Sequence, residues 1–133
     1  MLNFRQFEVG PDPFGRKWQV LFKWLQTAIS LRHSDTVDVK FILQADGEGD
    51  ASRIQKQIAM PQAELLELSR RTGHPLTDAW CARLAAQHLK HMVESGEDLD
   101  KDLVIVRLPE LAEHADEVGR EESAEIAARR GAA

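Results

Sequence analysis

The sequence has little cysteine and no long apolar segment. Its 133 residues contain one cysteine, Cys81, which excludes an internal disulfide and a thiolate metal cluster and is typical of a reducing compartment. A bilayer span needs about 18 or more apolar residues, and no run approaches this length. The first residues also lack the basic start and apolar stretch of a signal peptide. We therefore expect a cytoplasmic protein without membrane contact.

An excess of basic charge is also missing. The chain has 17 Lys and Arg against 22 Asp and Glu, a net charge of -5. The acidic excess belongs to the C-terminal third, because residues 97–133 carry 5 basic and 11 acidic groups. Nucleic-acid binding needs a clustered basic face that neutralises phosphates. We expect no nucleic-acid partner.

The aromatic residues are few, and all of them except Trp80 fall within the first 41 positions. Period-two alternation predicts four strands near residues 3–9, 18–31, 37–43 and 54–60. Polar turns at residues 10–15, 33–35 and 46–50 separate them and favour an antiparallel meander. The alternation of the second strand changes phase near Leu25 and Gln26, which predicts a bulge or sharp bend there.

The hydrophobic period changes to 3.6 residues after Pro61, which suits a first helical position. Gly73 predicts the end of that helix, and a second helix should run from an N-cap at Thr77 to Gly96. Residues 103–106 form either a short buried strand or a helical fragment. The predicted fold is α+β: a four-stranded, bent antiparallel sheet followed by two helices packed on one face.

The predicted domain covers residues 1–108. Residues 109–133 form an acidic extension rich in Ala, Glu and Arg, with few large apolar side chains. Such a composition has helical propensity but offers little to a core. We expect this extension to be a weakly anchored helix or disordered.

His88 and His91 are the first candidates for chemistry, because a spacing of three places two imidazoles on neighbouring helical turns. A third metal ligand would have to come from the sheet or from His33 or His74, and the sequence gives no evidence for one. Cys81 lies too far along the helix axis from His88 to share an ion. We expect His88 to be a packing residue, with no metal and no cofactor.

Apolar residues also fall on the face opposite the main stripes of their strands, namely Leu21, Leu25 and Ile42. Two helices cover only one face of the sheet, so these residues would be exposed on the other face, which predicts a subunit or partner interface. The alternative is that the sheet curls at the bend and buries these residues itself. The sequence has no GxSxG, phosphate-binding glycine loop or HExxH motif.

The function we expect is therefore a non-enzymatic interaction or ligand-binding module that acts as a homo-oligomer, with a protein partner as a further option. The alternative is a small enzyme that uses His88 or His91 as a general base in a cleft between sheet and helices.

Overall fold

The computed structural model describes residues 3–28, 35–46 and 53–131. The predicted turns at 33–35 and 46–50 lie mostly outside these residues, as does His33. The described part of the chain folds into an α+β arrangement with a five-stranded mixed sheet and three helices. The elements are β1 (Gln6–Val9), β2 (Trp18–Ala28), β3 (Thr36–Ala45), β4 (Arg53–Pro61), α1 (Gln62–Thr72), α2 (Asp78–Ser95), β5 (Leu103–Ile105) and α3 (Leu108–Gly131).

The sheet follows the chain, with the strand order β1-β2-β3-β4-β5. The first four strands pair antiparallel, so the predicted meander is confirmed. The prediction of a purely antiparallel four-stranded sheet is wrong, because β5 pairs parallel with β4 and places Val104 opposite Ile58. A three-residue strand is too short for periodicity to identify. Residues 62–102 form the crossover that a parallel pair requires.

The phase change in β2 occurs two residues earlier than the sequence indicates. Phe22 pairs with Phe41 and Trp24 with Lys40, so the register shifts at Lys23. This extra residue turns Trp24 outward and places Leu25 opposite the fully buried Val39. Leu25 therefore packs against the core and does not share the outer face with Leu21 and Ile42, which corrects its predicted orientation.

Three of the four ends of α1 and α2 lie at the predicted residues, whereas Pro61 is the last residue of β4 and precedes the first helical position. Helix α1 begins at Gln62, directly after Pro61, and Gly73 ends it with a left-handed φ of 73°. The hydroxyl of Thr77 accepts a hydrogen bond from the backbone amide of Trp80 at 3.1 Å, as expected of an N-cap. Gly96 ends α2 with a φ of 81°.

Helix α3 is the element that the sequence leaves least defined. Its first half packs on the other helices, and four of its residues are buried: Leu111, His114, Ala115 and Val118. From Gly119 to Gly131 no residue is buried. The contribution of residues 119–133 to stability stays a prediction.

The core lies between one face of the sheet and the three helices. Val20, Phe41 and Ile58 point from the sheet towards Leu84 and Leu89 of α2, and all five are fully buried. Each such side chain contributes about 1.5–3 kcal/mol through removal of apolar surface from water. The buried stripe of α2 thus fixes the direction of its other side chains, including His88.

Among the described helices, none has a stretch long and apolar enough to span a bilayer.

Candidate metal centre

Helices α2 and α3 bring together two imidazoles and a carboxylate. His88 lies on the buried stripe of α2, while Glu110 and His114 lie one turn apart on α3, a spacing that places them on one helix face. His88 Nδ1 is 2.9 Å from His114 Nε2 and 3.7 Å from Glu110 Oε2. One potential ligand atom from each of the three residues lies within 4.8 Å of the other two.

Both imidazoles are buried, with 3% of His88 and 7% of His114 exposed. Burial, together with repulsion from the nearby His91, lowers the pKa of His88 from 6.5 to about 4. Burial likewise lowers the pKa of His114 to about 4, with additional repulsion from His88 and His91. Both rings are therefore neutral at pH 7. Metal ligands must be deprotonated, and a neutral imidazole can bind a metal through one ring nitrogen without a net release of protons.

The separations of His88 Nδ1 from the other two ligand atoms are close to those of ligands around one metal ion. For bonds of about 2.1 Å, two ligand atoms lie about 3.0 Å apart at a right angle and about 3.4 Å apart at the tetrahedral angle. The distances of 2.9 Å and 3.7 Å from His88 Nδ1 bracket this range. An ion could thus contact all three groups after small side-chain movements.

His88 Nε2 is buried and has no hydrogen-bond partner within the described ranges. A bare ring nitrogen costs less in such a place than an N–H group without an acceptor. This favours the tautomer in which His88 Nδ1 carries the proton and donates it to His114 Nε2. The two rings then form a neutral hydrogen-bonded pair.

His91 lies at the solvent side of this pair. Its ring centroid is 6.1 Å from that of His88 and 6.2 Å from that of His114. Its Nε2 is 3.2 Å from Glu97 Oε2, and both side chains are exposed. His91 is therefore outside the set of three close ligand atoms and forms a separate pair with Glu97.

The sequence identifies only part of this centre. It pairs His88 with His91, whereas the closest imidazole to His88 is His114. The signal that could have found it is the i, i+4 spacing of Glu110 and His114. The spacing alone is a weak signal, because the extension after residue 108 has few apolar residues that would anchor a helix on the rest of the chain. His74 lies elsewhere, with its ring stacked on Trp80 at 4.8 Å.

Cys81 is not part of the centre. Its thiol is buried on α2, and burial, together with the charge of Asp78, raises its pKa to about 11. The thiolate is the reactive form and the metal ligand. Cys81 is therefore an inert core residue at neutral pH.

Other buried charged side chains have structural partners. Asp12 accepts a hydrogen bond from Trp18 Nε1 at 3.0 Å and others from backbone amides of its own turn. The Lys56 ammonium donates to the carbonyls of Leu99 and Lys101 at 2.7 and 2.6 Å. These two groups fix loops against the sheet, whereas the hydrogen bond between His88 and His114 connects α2 with α3.

Comparison of the chain with protein-family models, with curated proteins and with solved structures finds no match.

Proposed function

We propose that this protein is a non-enzymatic ligand-binding module whose ligand is a divalent transition-metal ion held between α2 and α3. The ligand atoms are His88 Nδ1, His114 Nε2 and a carboxylate oxygen of Glu110. The observation that carries the proposal is the approach of two buried imidazole nitrogens to 2.9 Å with a carboxylate oxygen 3.7 Å away. This proposal replaces the expectation from sequence that His88 only packs.

A packing role alone accounts poorly for this arrangement. Apolar side chains would fill the same space without removing polar ring atoms from water. The pair also leaves His88 Nε2 without a partner, which a well-satisfied structural pair would avoid. An ion that bonds to both rings would replace the hydrogen bond between His88 Nδ1 and His114 Nε2 with two metal–nitrogen bonds.

The donor set indicates which ions fit. Two imidazole nitrogens and one carboxylate suit Zn²⁺ and its first-row neighbours, whereas Mg²⁺ and Ca²⁺ prefer oxygen ligands. Three protein ligands leave room for water in the remaining positions. The Glu110 side chain, 45% exposed, lies at the side from which an ion would enter.

The affinity should be lower than that of a fully supported zinc site. When His88 binds through Nδ1, its ring proton must move to Nε2, where no described residue accepts a hydrogen bond. Loss of such an outer hydrogen bond weakens metal binding by about 10–100-fold.

A general base is the second candidate function, and the observation that favours it is the pairing of His91 with Glu97 at 3.2 Å. A carboxylate that holds an imidazole in one orientation is a common partner of a catalytic base. This function, however, would leave the buried pair of His88 and His114 unused.

The test is titration of the full chain with Zn²⁺ after treatment with a chelator and its removal. We expect one ion per chain by isothermal titration calorimetry. The melting temperature should rise with Zn²⁺ concentration, because a ligand that binds only the folded state stabilises it. Titration with Co²⁺ should give visible absorption bands from nitrogen and oxygen ligands.

Two variants separate binding from folding. His88→Leu/His114→Leu fills the same space with apolar groups, so it should remain folded and lose Zn²⁺ binding. Glu110→Gln should weaken binding at least tenfold, while Glu113→Gln, exposed on the same helix, should leave it unchanged. Absence of stoichiometric binding to the unmodified chain would overturn the proposal, as would unchanged binding by the double variant.

A further inference from the structure

A cleft of about 320 Å³ lies where the turn between β1 and β2 meets the C-terminal end of α2. Its apolar walls come from β2, β3, β4, α2 and the loop after α2, namely Trp18, Leu43, Ile54, Val93 and Leu99. The first, second and fourth of these residues are buried, and the other two are partly buried. Sites for small molecules are concave, mostly apolar and about 300–1,000 Å³ in volume. The cleft has the size and lining of such a site.

Two charged residues, Asp12 and Arg16, complete the lining of the cleft. The Asp12 side chain is 2% exposed and that of Arg16 is 42% exposed, so Arg16 lies at the open side. Asp12 Oδ2 accepts hydrogen bonds from Trp18 Nε1 at 3.0 Å and from Arg16 Nε at 3.2 Å. Its Oδ1 accepts hydrogen bonds from the backbone amides of Phe14 and Arg16. The buried carboxylate therefore orients both the indole and the guanidinium group that line the cleft.

The Arg16 guanidinium group has donors left for a ligand. Its Nε bonds to Asp12, and no described residue accepts a hydrogen bond from its Nη atoms. Its central carbon lies 5.0 Å from the centre of the Trp18 ring and 5.9 Å from that of Phe14. Phe14 is 80% exposed, which leaves a large apolar ring in water beside the open side. An anion on Arg16 with an apolar body would contact both the charge and the aromatic surface.

The charges at the cleft indicate which anion fits. Burial raises the pKa of Asp12, but hydrogen bonds from Trp18, Arg16 and the backbone amide of Phe14 outweigh it and hold the pKa below its usual value. The Asp12 carboxylate is thus charged at neutral pH, and among the described lining residues Arg16 is the only cation. A phosphate dianion would be repelled by Asp12. A single carboxylate matches the paired N–H donors of one guanidinium group.

We propose that this cleft binds a small monocarboxylate, with its carboxylate on the Nη atoms of Arg16 and its apolar body against Trp18, Leu43 and Val93. A cavity of about 150 Å³ holds one benzene molecule. The cleft therefore has room for one ring or short chain with its carboxylate, about 10–15 non-hydrogen atoms. This site shares no residue with the metal centre and does not depend on metal binding.

The compound 3-phenylpropanoate is a probe of this size. It is titrated into the full ¹⁵N-labelled chain after metal and chelator have been removed, so that the metal centre cannot bind the carboxylate. We expect a saturable shift of the Trp18 indole N–H signal, with a dissociation constant below about 1 mM. The uncharged 3-phenylpropanamide has nearly the same shape and should bind at least tenfold more weakly.

Three variants test the two parts of the site. Arg16→Gln should weaken binding of the acid at least tenfold and leave that of the amide unchanged. The matched control is Lys17→Gln, which removes the same charge one residue away, where the ammonium lies 3.8 Å from Glu8. This control should change the affinity less than twofold. Leu99→Trp places a larger side chain in the cleft at a partly buried position and should abolish binding of both probes.

Absence of a saturable shift in the unmodified chain overturns the proposal. Equal affinities for the acid and the amide also overturn it, as does an unchanged affinity in Arg16→Gln, because the anion would then not lie on Arg16. Arg16→Gln should still bind Zn²⁺ as the unmodified chain does, so failure of this site is distinguishable from failure of the metal centre.

Discussion

The ring of Pro13 occupies the space beside Gly96, so that a Cβ atom on Gly96 would lie 2.8 Å from Pro13 Cγ. Gly73 has a similar left-handed backbone, with a φ of 73° against 81° for Gly96. A Cβ atom on Gly73, however, would have nothing within 4 Å. Two helix ends with the same backbone conformation thus differ in the space around them.

This difference predicts unequal effects of alanine. Gly73→Ala should lower the free energy of unfolding by about 1 kcal/mol, because a residue with a side chain is disfavoured at positive φ. Gly96→Ala should lower it by about 2–4 kcal/mol, since the contact with Pro13 adds steric strain. Urea denaturation measures both values. Equal losses would contradict the prediction, and Pro13→Ala should partly restore the stability of Gly96→Ala.

The buried histidine pair predicts a loss of stability in acid. In the unfolded chain both imidazoles take up protons near pH 6.5, whereas in the folded chain their pKa values are lowered to about 4. As the pH falls from 6.5 to about 4, the unfolded state therefore binds more protons and gains stability. Each pKa unit corresponds to about 1.4 kcal/mol, so we expect a loss of a few kcal/mol, measured by urea denaturation without added metal.

The control is His88→Leu/His114→Leu, which retains every carboxylate of the chain. Its free energy of unfolding should depend less steeply on pH between 6.5 and 4. Parallel curves for the double variant and the unmodified chain would show that these rings do not carry the effect. In the presence of Zn²⁺ the decline of the unmodified chain should steepen, because protons then compete with the ion for the same nitrogens.

The end of α3 predicts a small effect of truncation. Glu122 is half-buried and pairs with Arg83 at 3.1 Å and with His74 at 3.4 Å, whereas the residues beyond it contribute no buried side chain among those described. Removal of residues 124–133 should leave the melting temperature nearly unchanged. Removal of residues 119–133 should cost about 1 kcal/mol or less, because partly exposed ion pairs contribute little.

Glu122→Ala in the full chain should reproduce the difference between the two truncations. Thermal unfolding followed by circular dichroism measures all three variants. A large drop for the shorter truncation would show that the last turns of α3 dock on the chain or on a second copy.

Local patterns in the sequence predict much of this fold. The alternation in β2 and β3 and the change of period at Pro61 identify the meander and the first two helices. Gly73, Thr77 and Gly96 mark helix ends because each acts through its own backbone or a neighbouring amide. These features depend on residues close in sequence, so a single sequence contains them.

The features that the sequence misses depend on distant contacts. Val104 joins the sheet through pairing with Ile58, and His114 reaches His88 only after α3 docks on α2. The position of the extra residue at Lys23 depends on which side chains β3 places opposite it. Hydrophobic periodicity reports which face of an element is buried, but it does not report which element covers that face.

The parallel pairing of β4 with β5 also has a consequence for protein synthesis. The hairpins of β1 to β4 can form once residue 61 has left the ribosome, but β5 needs residues up to 106. At roughly 5–20 residues per second, synthesis of α1, α2 and the edge strand β5 takes about 2–9 s after residue 61. During this interval Val39, Phe41 and Ile58, all fully buried in the finished fold, are exposed to solvent or bound by a chaperone. Such transiently exposed apolar surface and unpaired strand edges make a nascent chain prone to aggregate.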